Sequence, residues 1–136
     1  VQASFDVIND SKATNPDAVI ALVKQMDGPF HIVLGGAGKE ADFQMLIREL
    51  ADRPVHSVFI CGEEKLASHL LSLGDEFNIE MDERVDWETA VKELVSNAQA
   101  GETVLLSPGG TSFDQFENYM ERGREFHEWV REAVKS

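Results

Sequence analysis

Val104-Leu-Leu-Ser-Pro-Gly-Gly-Thr-Ser-Phe-Asp-Gln-Phe-Glu-Asn-Tyr-Met-Glu-Arg-Gly-Arg-Glu-Phe126 is the stretch on which the reading of this chain turns. It divides into a short buried strand over Thr103 to Leu106, a small-residue turn over Ser107 to Thr111, and a helix. Ser112 followed three residues later by Gln115 fits a capping box, with Asp114 in the positively polarised first turn. Phe116, Tyr119, Met120, Gly123, Phe126, Val130 and Ala133 recur at the spacing of one helical face. A Gly-rich turn feeding a hydroxyl-capped helix leaves several backbone N–H groups aimed at one spot. Such a spot binds carboxylates or phosphates, although the same residues also suit an ordinary, well-capped strand-to-helix connection.

Outward from this unit, strand and helix alternate along the whole chain. Phe5 to Ile8 is a short apolar strand that runs into the polar loop Asn9 to Asn15. Asn15 caps a helix with Pro16 at its first position, and Val19, Ile20, Leu22, Val23 and Met26 form its apolar side. Phe30 to Leu34 is the next strand. After a glycine-rich turn, Asp42 is expected to cap a helix whose Phe43, Leu46, Ile47 and Leu50 fall at i, i+3, i+4 and i+7. Val55 to Cys61 is a third apolar strand, Glu63 to Leu73 a helix ended by Gly74, and Phe77 to Met81 a short strand. Trp87, Ala90, Val91, Leu94, Val95 and Ala98 make a helical stripe that closes at Gly101. Continuous apolar strands alternating with helices predict an α/β fold, a mostly parallel sheet with helices on both faces. Ligands in such folds sit at the carboxyl ends of the strands, near a topological switch point. The loops Asn9 to Asn15, Gly35 to Asp42 and Ser107 to Asp114 all occupy that edge.

The 136 residues suit a single domain, 1–136, with a proper core. Because the chain begins at Val1 with a strand almost at once, it is expected to be a piece of a longer protein. Twelve Lys and Arg stand against 25 Asp and Glu, a net charge of −13. That balance argues against a nucleic-acid partner, which needs a basic face. The sole cysteine, Cys61, reads as a buried, inert thiol. A reducing cytoplasm is compatible with that lone thiol. No apolar run approaches membrane-spanning length and no signal-peptide pattern is present, so no membrane partner is expected.

Gly36-Ala37-Gly38-Lys39-Glu40-Ala41 matches G-x-G-x-x-A between a strand and a helix, the pattern of a dinucleotide-binding turn. It occurs in the second strand–helix unit rather than the first, which weakens that reading. It is not a P-loop, since Val33 falls where the first Gly belongs and Glu40 replaces the metal-binding hydroxyl. Lys39 either reaches an anion held by backbone N–H groups or is a solvated loop lysine, and Lys12 carries the same ambiguity. Asp10 either accepts from ribose hydroxyls or makes an Asx turn. His31, His56, His69 and His127 show no metal-ligand spacing and are expected as surface or strand residues, with no metal site. No Ser-His-Asp or Cys-His arrangement is present in the sequence pattern. Trp87 and Trp129 are expected in the core.

Taken together, Asn9-Asp10-Ser11-Lys12-Ala13-Thr14-Asn15, then Leu34-Gly35-Gly36-x-Gly38-Lys39-x-x-Asp42-Phe43, then Leu105-Leu106-Ser107-Pro108 with Ser112-Phe113-Asp114-Gln115-Phe116-x-Asn118-Tyr119-x-x-Arg122-Gly123-x-x-Phe126, are a familiar series. In order and spacing they resemble the C-terminal domain of the Mur ligases, of the type that joins D-glutamate to UDP-N-acetylmuramoyl-L-alanine. The resemblance covers essentially the whole chain. It implies a Rossmann-like three-layer sandwich that supplies the amino-acid site and closes over a nucleotide. It also implies an ATP-dependent ligase of peptidoglycan synthesis that passes through an acyl phosphate, with ATP and Mg2+ bound mainly by a central domain outside this chain. Carried over by motif, Thr14 and Lys39 hold the α-carboxylate of D-glutamate, while Ser112 and the backbone around Tyr119 hold its side-chain carboxylate. Lys12, the catalytic candidate, sits near the phosphates and the incoming amino acid, and Asp10 near the ATP ribose. Gly109-Gly110 stands where small residues such as Ala are usual, which is expected to loosen the turn, and Tyr119 stands where Phe is usual. The isolated domain is expected to be inactive. The alternatives are a Mur-ligase-like binding module without chemistry, or a dinucleotide-binding domain.

Overall fold

Residues of alternating parity along each central strand go to opposite sides of one sheet, and this divides the core in two. The computed structural model describes residues 5–36, 43–110 and 116–135. In chain order its elements are β1 (Asp6–Asn9), α1 (Pro16–Val23), β2 (Phe30–Gly36), α2 (Gln44–Ala51), β3 (Val55–Gly62), α3 (Glu64–Glu76), β4 (Asp82–Glu83), α4 (Trp87–Asn97), β5 (Thr103–Gly109) and α5 (Tyr119–Lys135). The five strands form one sheet in the order β1-β5-β2-β3-β4, and every pairing is parallel. Phe30, Ile32 and Leu34 of β2, Val58 and Ile60 of β3, and Leu105 of β5 face α1, α2 and α3. Val33, Phe59, Cys61, Val104 and Leu106 face the other way, onto α4 and α5. The result is the expected three-layer α/β sandwich, with β2, β3 and β5 covered on both sides. Each Leu or Phe buried this way contributes roughly 1.5–3 kcal/mol, so the two apolar layers dominate the fold's stability.

The helices form where local chemistry allows them to start. Asn15 is the N-cap of α1, its Oδ1 accepting the Ala18 N–H at 3.1 Å, with Pro16 at the first position. Asp86 caps α4, accepting from the Thr89 N–H at 2.8 Å. Trp87, Ala90, Val91 and Leu94 then present one fully buried face. Lys92 of α4 bridges Glu88 at 2.7 Å and Glu132 of α5 at 2.8 Å, tying the two helices of this layer together.

The structure corrects the sequence reading in several places. Phe77 to Met81 is not a strand; β4 is Asp82–Glu83, paired with Phe59 and Ile60. Phe77, Ile79 and Met81 have the alternation of a strand, but they pack as partly buried residues against the core below α3. The chain turns there through Asn78 at φ 59°, a conformation Asn tolerates, and Ile79 N–H donates to Gly74 O at 2.8 Å. Gly74 does not end α3, which continues to Glu76. A Cβ on Gly74 would lie 3.0 Å from Met81 Sδ, so the glycine makes room for the returning chain. β5 runs on to Gly109 instead of stopping at Leu106.

The last helix begins later than its sequence suggests. Residues 116–118 are bends, α5 starts at Tyr119, and Asn118 Oδ1 accepts the Glu121 N–H at 2.9 Å. The Ser112–Gln115 capping box and the Asp42 cap lie outside the described residues. Tyr119 and Met120, assigned to the inward face, are exposed, whereas Arg122, Phe126 and Trp129 are buried.

Candidate functional site

At the carboxyl end of β5 the 10–14 loop meets the 107–110 turn, and β2 ends beside them. β5 lies between β1 and β2. From β1 and β2 the chain leaves toward the layer of α1 and α2, but from β5 it leaves toward α5 on the opposite face. The end of β5 is therefore the topological switch point, the place at which open parallel sheets bind ligands.

The 10–14 loop is stitched to β5 along its length. Asp10 N–H donates to Leu106 O at 2.9 Å, and Gly109 N–H donates to Ala13 O at 2.9 Å. Ala13 N–H closes a turn on Asp10 O at 2.9 Å. Ser107 Oγ stands 3.5 Å from Asp10 Oδ2, at the limit of a hydrogen bond. Gly109 is thus a fixed point and not a loose turn. It has φ +82°, and a Cβ there would lie 3.2 Å from Val19 Cγ2 and 3.5 Å from Phe43 Cε1.

Arg122 holds the assembly together. Its side chain is fully buried. Nε donates to Ser11 Oγ at 2.9 Å, Nη2 to Ser11 O at 2.6 Å, and Nη1 to Gly110 O at 3.0 Å. Ser11 Oγ in turn donates to Tyr119 O at 2.9 Å, and Asn9 Nδ2 donates to Gly123 O at 2.8 Å. One guanidinium fork thereby fixes the loop after β1, the loop after β5 and the first turn of α5 relative to one another. Gly123 permits the approach, since a Cβ there would lie 3.3 Å from Ser11 Cβ.

Of the residues expected at the site, Asp10, Lys12 and Thr14 share this loop, and the backbone at Tyr119 touches it through Ser11. Lys12 is exposed between the buried Ser11 and Ala13, Asp10 and Thr14 are partly buried, and the Tyr119 residue is 45% exposed. Lys39 and Ser112 lie outside the described residues, although β2 ends at Gly36 beside β5, with Gly35 in register with Gly109. Sequence reasoning gave Arg122 no role. The signal was available, because Arg122, Phe126 and Trp129 lie at i, i+4 and i+7.

At the opposite edge, His31, His56 and Glu102 meet, which their sequence positions do not announce. His31 Nε2 lies 2.8 Å from Glu102 Oε1, and His56 Nδ1 lies 3.0 Å from Glu102 Oε2. The His31 contact above all, then the Gln99 N–H, hold the Glu102 carboxyl below its usual range.

Comparison with known proteins agrees with this geometry. A family model described as Mur ligase, glutamate ligase domain, matches residues 1–110. The chain belongs to this family. Among curated proteins it is similar to the UDP-N-acetylmuramoylalanine--D-glutamate ligase of Thermosipho africanus, 38% identical over 122 residues, 90% of this chain and 28% of that protein. The protein of the same name from Desulfatibacillum aliphaticivorans is 35% identical over 118 residues, 87% of this chain and 25% of the relative. That from Methylococcus capsulatus is 38% identical over 124 residues, 91% and 26% respectively. The chain thus spans about a quarter of the length of these Mur ligase relatives. No helix among the described residues is long and apolar enough to cross a membrane.

Proposed function

We propose that this chain, residues 1–136, is the amino-acid-binding domain of a cytoplasmic, ATP-dependent ligase that adds D-glutamate to UDP-N-acetylmuramoyl-L-alanine in peptidoglycan synthesis. The observation that carries the reading is the Arg122 fork, which holds the 10–14 loop, the end of β5 and the start of α5 at one sheet edge. A dicarboxylate needs two separate anion sites. Thr14 and Lys39 supply one for the α-carboxylate. Ser112 and the N–H groups at the start of α5, near Tyr119, supply the other.

ATP fits the same edge. The Asp10 carboxylate, partly buried beside Ser107, is a suitable acceptor for ribose hydroxyls, and the exposed Lys12 is a suitable cation for phosphate oxygens. When bound, ATP supplies the phosphoryl group that activates the muramoyl-alanine carboxylate. This chain's residues orient the glutamate amine toward that carboxylate and help exclude water from the closed cleft.

The test is ATP-dependent turnover by the full-length protein carrying this chain, with UDP-N-acetylmuramoyl-L-alanine and D-glutamate, L-glutamate or D-aspartate. Selective use of D-glutamate, with KM raised at least tenfold in Thr14→Ala and Lys39→Ala, supports the reading. Binding of D-glutamate without turnover would leave a binding module in its place.

A further inference from the structure

We propose that His31, His56 and Glu102 form a binding site for a divalent cation of the Zn2+ class at the amino-terminal edge of the sheet. His31 is the second residue of β2, His56 the second of β3, and Glu102 directly precedes β5. Because β2 lies between β3 and β5, the three meet at adjacent strand starts. Their candidate ligand atoms all lie within 4.8 Å of one another. Two imidazoles and one carboxylate are a donor set that borderline metals take, with a fourth position left for water.

The geometry needs little adjustment. Ligand atoms about 2.1 Å from a tetrahedral Zn2+ stand about 3.4 Å apart. Both nitrogen–carboxylate pairs, at 2.8 and 3.0 Å, are at hydrogen-bond distance and open by about half an ångström to admit the ion. His56, whose side chain is 51% exposed, exchanges its contact with Glu102 Oε2 for the ion. A cleft of about 340 Å3 lined by Arg53, Asn78 and Glu80 opens onto His56.

The surrounding hydrogen bonds suit a metal ligand. Ser57 Oγ lies 2.9 Å from His31 Nδ1, and Gln99 N–H donates to Glu102 Oε1 at 2.9 Å. A metal on Nε2 would leave Nδ1 to hydrogen-bond Ser57 Oγ, so the ring's outer partner is already in place. A cation also suits a chain of net charge −13.

The experiment is a Zn2+ titration of the metal-stripped full-length protein against a chromophoric chelator, repeated with Co2+ to read its ligand-field absorption. Wild type is expected to bind one equivalent more than His56→Ala, or to bind it at least tenfold more tightly. The Co2+ absorption of a low-coordinate N/O site should be lost in His56→Ala. Because His56 is exposed, that variant keeps the fold, which circular dichroism checks; Glu102→Gln provides a second test. Indistinguishable titrations of wild type and His56→Ala, or no Zn2+ bound by wild type, would reduce the cluster to a hydrogen-bonded triad. The ligase reading stands or falls separately, on D-glutamate turnover.

Discussion

Arg122 Nη2 lies 2.6 Å from the carbonyl oxygen of Ser11, and the two residues are the joint between the first loop of the chain and its last helix. Arg122→Lys keeps the charge but loses the fork, since one ammonium cannot serve Ser11 Oγ, Ser11 O and Gly110 O together. Stability should fall by roughly 2–3 kcal/mol as buried acceptors lose their donors. In the full-length enzyme, KM for the amino acid should rise more than kcat falls. Urea unfolding and steady-state kinetics check both, and an unchanged midpoint would show that the fork is not structural.

Lys12 should behave in the opposite way. It is exposed beside the switch point, so Lys12→Ala should leave stability within about 0.5 kcal/mol. Turnover should fall about 100-fold through loss of a cation near developing charge. A variant with near-wild-type turnover would remove Lys12 from the chemistry.

Gly109 and Gly101 separate backbone conformation from packing. Both have left-handed φ, at +82° and +86°, but a Cβ at Gly101 meets nothing within 4 Å. Gly101→Ala should cost about 1–2 kcal/mol, the conformational penalty alone. Gly109→Ala should cost more, because Val19 and Phe43 must also give way. Equal losses in thermal unfolding would mean that those neighbours yield freely.

Asp86 gives a pH-dependent contribution of predictable sign. The Thr89 N–H, then the Thr89 side chain, hold its carboxyl below the ordinary value. A folded pKa below the unfolded one stabilises the protein fully above the ordinary aspartate value of about 4. That contribution disappears as the pH falls through the folded value. Asp86→Asn keeps an acceptor at the cap but does not titrate. The stability difference between wild type and variant should therefore be constant near neutrality and shrink in acid, as urea unfolding across pH would show.

Arg84, directly after β4, reaches α4 through a bidentate pair with Glu93 and β3 through a guanidinium 4.2 Å from the Phe59 ring centroid. Glu93→Gln should cost less than about 1 kcal/mol, as partly exposed pairs do. Arg84→Ala should cost more, because it also uncovers the ring. Matching losses in the two variants would assign the whole effect to the ion pair.

Periodicity and composition made much of this architecture legible. Phe30 to Leu34 and Val55 to Cys61 read as strands buried on both faces, and Asn15-Pro16 marked a helix start that the structure keeps. Phe77-Asn78-Ile79-Glu80-Met81 misled because alternation also arises when a loop lays every second side chain against a core. The start of α5 was placed early because Ser112 and Gln115 match a cap pattern, whereas Asn118 acts as the cap. The spacing of Arg122 with Phe126 and Trp129 points inward, but a guanidinium gives no hydropathy signal, and its partners on Ser11 and Gly110 come from loops distant in sequence. The meeting of His31 and His56 at Glu102 follows from strand order, which no local spacing encodes.

That strand order has a consequence for how the protein is made. Among the described residues β1 pairs with β5 alone, so the first described strand finds its partner only after the last described strand has left the ribosome. β2 and β3 can pair much sooner, while β1 remains an unpaired edge until residues near Gly109 emerge. When β5 inserts between β1 and β2, it closes the sheet and brings the 10–14 loop to the 107–110 turn in the same step. Folding should therefore produce no long-lived intermediate in which the 10–14 loop is docked while the sheet is unfinished, because the two arrive together.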